Sequence, residues 1–340
     1  MKIGKVSNAV LNRSVLKYTE KGREGILASY PGVGNDASVF KAQKGQLVVS
    51  TDCGIEPVYT AVNNIFAKGG KPCAAQLCII LPESCREIRL KEVMSKLSAD
   101  CAQLGIEISG GHTQVVPGTG KPLAAVTAVG WRYSGEENLR DDTGSGGASA
   151  DIFVAQTAGA YKAMSGEDII MTKCIGIGGI RYIIDSRRDE ILEKYTKELI
   201  EKAYGTRADL SVEKEACIAL KSGVSAMHDM SQGGVYAALW DMAEASGLGL
   251  DIDLRAIAVR QEIIEICEMF DINPYQLNSC GSLLMTSGSG EQVVSALKSE
   301  GVEACIIGRT TGGNDRVLRN LEELRYLEKP APDEVYRFGA

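Results

Sequence analysis

The sequence predicts two α/β domains of similar size joined by a polar segment. Three observations predict this. The chain's 340 residues are too many for one comfortable hydrophobic core. Apolar strand-like runs alternate with helical periodicities, stop, and then begin again. The interruption, Asp141-Asp142-Thr143-Gly144-Ser145-Gly146-Gly147, is polar and glycine-rich, as a linker or exposed loop is. The domains are therefore expected at 1–150 and 151–330, with a tail at 331–340.

In order along the first half, residues 46–52 form an apolar run that ends on Ser50-Thr51-Asp52, a buried strand delivering polar groups at its end. Residues 57–68 read as a helix, with Pro57 at the start and Gly69-Gly70 as the stop. Residues 71–81 read as a second strand. In 83–104 the apolar positions Leu90, Val93, Met94, Leu97, Cys101 and Leu104 keep helical spacing. Residues 106–109 are a third strand running directly into Gly110-Gly111-His112, and 122–133 a fourth.

After the linker, 168–172 is a strand, 187–203 a charged helix and 212–221 another helix. Residues 223–227 form a buried strand ending in His228-Asp229. The helix that follows, 232–245, sets Val235, Ala238, Leu239, Met242 and Ala243 on one face, and Gly247 closes it. Strands at 282–286 and 303–307 flank a helix at 292–299.

Composition narrows the function classes. Thirty-seven basic residues against 44 acidic, with no basic cluster interleaved with aromatics, argue against nucleic acid or an anionic membrane surface as partner. No apolar run is long enough to span a bilayer and no signal-peptide core follows Met1, so a cytoplasmic protein is expected. The ten cysteines contain no Cys-x-x-Cys and sit mostly in apolar segments, where a reduced thiol acts as a small hydrophobe. Cys53 and Cys280, at polar or glycine-bearing junctions, are the partial exceptions.

Both of the chain's histidines lie where an apolar run breaks into glycine and polar residues: Ile108-Ser109-Gly110-Gly111-His112-Thr113 and Ala226-Met227-His228-Asp229-Met230-Ser231-Gln232-Gly233-Gly234. Glycines there let the backbone turn tightly or approach a ligand closely. Asp36 stands beside the flexible turn Gly32-Val33-Gly34, and Asp52 ends a strand, a place from which a carboxylate helps hold hydrated magnesium with nucleotide phosphates. Asn63-Asn64 put amides in a helix interior that gains little from asparagine.

Several familiar sites fit the sequence poorly. The Gly32–Gly34 glycines precede a strand, the reverse of the dinucleotide fingerprint. Gly118-Thr119-Gly120-Lys121 is followed by Pro122 and lacks the first glycine of a P-loop. Gly176-Ile177-Gly178-Gly179 and Gly288-Ser289-Gly290 fit strand-to-helix turns better than anion sites. Adjacent His228, Asp229 and Ser231 lack a Gly-x-Ser-x-Gly elbow, and sequence neighbours rarely converge.

Taken in order, six motifs resemble the aminoimidazole ribonucleotide (AIR) synthetase-like superfamily of ATP-dependent enzymes. Gly34-Asn35-Asp36-Ala37 resembles its Gly-x-Asp-Ala turn, and Val48 to Asp52 its Thr-Asp strand end. Val62-Asn63-Asn64-Ile65 with Gly70-Lys71-Pro72 resembles its Val-Asn-Asp helix and Gly-x-Pro exit, and Gly110-Gly111-His112-Thr113 stands where Gly-Gly-Asp-Thr is usual. Thr172-Lys173-Cys174-Ile175-Gly176, and Met227-His228-Asp229 with Gly233-Gly234 and Glu244-Ala245-Ser246-Gly247, resemble the hydrogenase-maturation dehydratase (HypE-like) branch.

The resemblance implies a two-domain fold: an α/β N-terminal domain that dimerises through its sheet and an α+β C-terminal domain. It implies ATP and Mg2+ as cofactors, a homodimer, a small-molecule substrate and a hydrogenase-maturation protein as candidate partner. By the same resemblance Asp36 and Asp52 would hold magnesium. Asp36, Asp52, Asn64, Gly110, Gly111 and Thr113 would surround nucleotide phosphate, while His112, His228 and Asp229 would do the chemistry.

Three departures accompany it. Asn64 replaces an aspartate, so an anionic ligand becomes neutral. The interval after Asp52 is short, only Cys53-Gly54-Ile55-Glu56 before Pro57. The sequence ends Tyr336-Arg337-Phe338-Gly339-Ala340, without the cysteine that the dehydratase modifies on itself. The expected function is ATP-dependent activation of an amide, carbonyl or similar acceptor. The alternative is a nucleotide-binding accessory or maturation partner without phosphoryl transfer of its own.

Overall fold

The structure is a computed structural model that describes residues 4–5, 10, 13–18, 27–29, 39–40, 46–134, 154–155 and 162–339. Asp36 with its glycine turn, and the expected linker at 141–147, lie outside the described residues. The chain divides into two compact units. One holds the residues up to Ile65 together with Gly70–Tyr133, the other Phe66–Gly69 together with the residues from Ser134 onward.

The first unit contains β1 (Gly4–Lys5), β2 (Leu27–Ser29), β3 (Val39–Phe40), β4 (Gln46–Asp52), β5 (Lys71–Leu81), β6 (Glu107–Val115) and β7 (Leu123–Ser134), with helices α1 (Pro57–Ala67) and α2 (Glu87–Gln103). Its main sheet runs β1-β6-β5-β7-β4, with β5–β6 parallel and the other three neighbours on that path antiparallel. Side chains alternate across this sheet as a pleat requires. Leu77, Ile79, Leu81 and Val126 are buried under the helices, where the Asn64 amide of α1 reaches Ser50 of β4. Gln76, Cys78, Ile80, His112 and Gln114 belong to the other face, with the exposed Leu47 and Val49 of β4.

The second unit, after β8 (Val154–Ala155), is built from β9 (Asp168–Thr172), β10 (Ala226–Met230), β11 (Gly249–Asp253), β12 (Ser282–Ser287), β13 (Ala304–Thr311), β14 (Arg316–Asn320) and β15 (Glu323–Tyr326). Its helices are α3 (Ile177–Lys194), α4 (Lys197–Tyr204), α5 (Glu213–Lys221), α6 (Gly234–Ser246), α7 (Gln261–Met269) and α8 (Gly290–Ser299). The seven strands run β10-β12-β9-β13-β11-β14-β15. Val235, Leu239 and Met242 of α6 pack on Ile169, Met171, Leu250, Ile252, Leu284 and Leu318 of the sheet. β12 is buried along its whole length, so both its faces are covered, and α5 and α8 pack on it as well.

Several expected elements shift. β6 does not stop at Ser109 but continues through Gly110, Gly111 and His112 to Val115, because β5 hydrogen-bonds it along that whole length. The charged helix expected at 187–203 is two helices, α3 and α4, and α3 begins at Ile177, inside the Gly176–Gly179 turn. A Cβ on Gly179 would meet Leu277 Cδ1 at 2.4 Å, so the small residue lets the helix start close against the 277–280 loop. The strand expected at 223–227 is β10, which takes His228 and Asp229 into its interior. Gly247 closes α6 as expected, with φ 69°. All ten cysteines are free; Cys280 is fully buried and Cys53 is exposed.

Candidate functional site

In the first unit the site builds outward from β4. Ser50 and Asp52 are two residues apart on one strand and therefore point to the same side, the side covered by α1. Asn64 Nδ2 donates to Ser50 Oγ at 3.2 Å, while the Gly54 N–H donates to Asp52 Oδ1 at 2.8 Å. A hydroxyl bonded to an amide, and a carboxylate, thus lie two residues apart along the last stretch of β4, before the short 53–56 loop. Burial holds the Asp52 carboxyl above its ordinary value of 3.8, and the Gly54 N–H opposes that rise. The loop ends on Glu56, which has a left-handed φ of 49° and whose carboxylate accepts from Lys96 Nζ at 3.1 Å. Asn63, beside Asn64, is fully buried and belongs to the core.

The glycine pair serves a different purpose from a loop. Gly111 lies opposite Leu77 in the parallel β5–β6 ladder with φ 150°, and a Cβ there would stand 1.9 Å from the Leu77 carbonyl oxygen. Only glycine lets the two strands meet. Ser109, fully buried, occupies the register shift and donates to the Ala75 carbonyl at 3.2 Å.

Cross-strand register runs Asp52–Val126–Leu77–Gly111, so Asp52 and Gly111 share a row but stand three strand spacings apart, about 14 Å. Thr113 is buried on that same side, next to Ile79. His112 points the other way: it is exposed, its Nε2 is 3.2 Å from Gln114 Oε1, and Cys78 is its cross-strand neighbour. The structure therefore bonds Asn64 to Ser50, two residues from Asp52 on the same side of β4, holds Gly111 and Thr113 along that side of the sheet, and separates His112 onto the open face.

In the second unit, His228 sits in β10 opposite Leu284 and is half-buried. Its Nδ1 lies 2.7 Å from the Asp229 carbonyl oxygen. A carbonyl can only accept, so Nδ1 carries the proton and Nε2 keeps a lone pair. Burial lowers the His228 pKa below 6.5 and the Asp229 carbonyl opposes the fall. Asp229 is 2% exposed and, as the next residue in the strand, projects from the opposite face. The pair does not converge.

Two structural anchors, Lys173 of the 172–176 motif and Asp333, had no role assigned from the sequence. Lys173, at φ 53°, donates to the carbonyls of Asp209, Ser211 and Gly281 at 2.6–3.0 Å and pairs with Glu215 at 2.7 Å. Asp333, in the segment read as a tail, accepts from the N–H groups of Gly233 at 2.6 Å, Asn278 at 3.2 Å and Val335 at 3.1 Å. Pro332-Asp333-Glu334 before a helical turn was the available signal, since aspartate caps helix starts.

The described residues contain no group of three or more His, Cys, Asp or Glu side chains able to hold a metal. Magnesium bound with a nucleotide needs only one or two protein carboxylates besides phosphate and water, and a half-buried carboxyl with a raised pKa gains from a nearby cation. Asp52 fits one such ligand.

A two-unit architecture with polar groups set along one side of the first sheet defines the class to which the chain's relatives also belong. Residues 34–131 match the N-terminal domain, and residues 165–319 the C-terminal domain, of the AIR synthase related proteins. The chain belongs to this family. Among characterised relatives, it is 25% identical to carbamoyl dehydratase HypE of Rhizobium leguminosarum bv. viciae, over 83% of this chain and 78% of that one. It is 22% identical to selenide, water dikinase of Treponema denticola, over 78% and 70%. Among solved structures, the fold matches HypE in complex with ATP at a TM-score of 0.73 and 19% identity, covering 98% of this chain and 97% of that one. It also matches thiamine-monophosphate kinase from Stenotrophomonas maltophilia at 0.65 and 18%, covering 97% and 99%. No helix among the described residues is long and apolar enough to cross a membrane.

Proposed function

We propose that this protein binds ATP with magnesium and uses it to activate an amide, carbonyl or similar oxygen of a small substrate, acting in the cytoplasm as a homodimer. The supporting observation is the family match over both domains, joined to the Ser50–Asp52–Asn64 cluster at the end of β4. Relatives described as dehydratases and dikinases, and a fold shared with a HypE that holds ATP, favour this class of chemistry.

In this reading Asp52, with Asp36, holds the magnesium, and Asn64 contributes a neutral oxygen. Gly110, Gly111 and Thr113 line the approach of the phosphates. Magnesium, when bound, would offset phosphate charge. His112, beside Gln114 on the face opposite Thr113, points away from that approach and has no phosphate contact in this reading. His228 keeps an unprotonated Nε2 at neutral pH and serves as the proton acceptor, while the buried Asp229 positions its strand.

Calorimetry with a non-hydrolysable ATP analogue, with and without magnesium, tests this reading. Magnesium-dependent binding in the micromolar range is expected, and no binding at millimolar nucleotide would sink it. One observation favours a second reading, an accessory that binds nucleotide without transferring phosphate: Asn64 is neutral and already bonded to Ser50. Any ATP turnover by the purified protein ends that reading. A solved HypE–HypF complex shares the fold at a TM-score of 0.63. On that ground a maturation protein is the partner to try first, by pull-down.

A further inference from the structure

β15 is the last strand of the second unit's sheet, and all four of its residues are exposed. It closes a tight hairpin with β14 through Leu321, whose φ is 57°. The Leu327 N–H donates to the Arg316 carbonyl at 2.8 Å, which marks residues 316 and 327 as a hydrogen-bonded pair. Antiparallel pairs alternate, so Leu318/Arg325 and Asn320/Glu323 are the bonded pairs that follow. The N–H and C=O of Leu324 and Tyr326 therefore point outward along the sheet edge.

The side chains on this edge are unusual for one meant to stay bare. Leu321, Leu324 and Tyr326 are 72%, 58% and 69% exposed, three of the nine large apolar side chains that stand exposed among the described residues. Edge strands are commonly protected by charge that repels another chain. Here Glu323 and Arg325 carry opposite charges and bond to each other at 2.8 Å, so the edge has no net repulsion.

We propose that this edge pairs with the same edge of a second copy of this chain, in an antiparallel, twofold-symmetric contact centred on Leu324. The order Glu323-Leu324-Arg325 is complementary to itself in that arrangement. Glu323 falls opposite Arg325 of the second copy and Arg325 opposite its Glu323, an attractive cross-strand pair made twice. Leu324 meets Leu324, and the outward backbone groups of each bond the other. Arg325 lies on the face of Leu318, which is buried beneath α6. Leu324 and Tyr326 therefore lie on the other face, where the two leucines cover one another with the tyrosines alongside. The contact is isologous and joins the two sheets into one. It is independent of any association through the first unit and of the nucleotide chemistry.

Sedimentation equilibrium of the whole chain tests it with two variants. Arg325→Glu sets glutamate opposite glutamate twice and is expected to weaken the β15 association step about tenfold or more. The double change Glu323→Arg/Arg325→Glu restores attraction in the reversed sense and is expected to recover the association of the unmodified chain. Association through the first unit's sheet is untouched by either variant, so only the step at β15 moves. An association unchanged by Arg325→Glu overturns the proposal. So does a double variant as weak as the single one, because loss without rescue would mean the charges do not face each other.

Discussion

At the scale of single residues, two shifted groups, Asp52 in the first unit and His228 in the second, push pH dependence in opposite directions. Asp52 has a folded pKa above 3.8, so its ionised form is the one the fold disfavours. Its stabilising contribution is complete below 3.8 and is lost as pH rises through the raised value. Asp52→Asn should therefore raise the melting temperature near pH 7, with the gain shrinking on acidification toward pH 4, as differential scanning calorimetry across that range will show. The same variant should lose the stabilisation that magnesium and nucleotide together give the unmodified protein. His228 has a folded pKa below 6.5, so its contribution is present above 6.5 and lost as pH falls through the depressed value. His228→Gln should flatten the stability profile between about pH 7 and pH 5, and a profile as steep as the original would mean that another group carries the dependence. Residue identity was legible at these positions in the sequence, but side-chain direction was not. His112 and Thr113 are neighbours that a strand sends to opposite faces, and only the extension of β6 past the glycines reveals it.

At the scale of elements, the glycine-bearing stretch of β6 and the Lys173 junction set what the fold tolerates. Gly111→Ala drives a methyl into the Leu77 carbonyl at a backbone angle alanine rarely adopts, and should cost roughly 3 kcal/mol in chemical denaturation. Lys173→Met removes the charge paired with Glu215 at 2.7 Å and strands three carbonyls, at about 3–5 kcal/mol. The helices and central strands were legible because their apolar periodicity is strong: α2, α6, β5 and β12 fall within a few residues of expectation. β11, β14 and β15 were not, because ionic residues interrupt their short apolar pattern. The Arg319–Asp251 bridge at 2.5 Å joins two of those strands through charged side chains. The 331–339 segment hid its anchor for the same reason, since Asp333 is buried by partners distant in sequence.

At the scale of the whole molecule, the order of six short motifs made the family legible before any fold was known, and both family domains then matched in that order. What a list of motifs leaves out is spacing within the sheet. Asp52 and Gly111 stand on one side of one sheet, about 14 Å apart across the β7 and β5 strands, so no single ion touches both. Under the proposed function the cation belongs at the β4 end, beside Asp52, and Asn64 becomes the residue that would decide between catalysis and binding alone. Asn64→Asp places a second carboxylate on the side of β4 that carries Asp52, and the Ser50 hydroxyl can still donate to it. Two like charges in a half-buried place raise each other's pKa, so the cation-free variant should lose about 1 kcal/mol near pH 7 and regain it on acidification. Magnesium relieves that repulsion, and its effect on nucleotide affinity should grow about tenfold over the unmodified protein in calorimetric titrations. Destabilisation without any gain in magnesium dependence would place the cation away from Asn64, and the Ser50 contact would then be a packing interaction of α1 on the sheet.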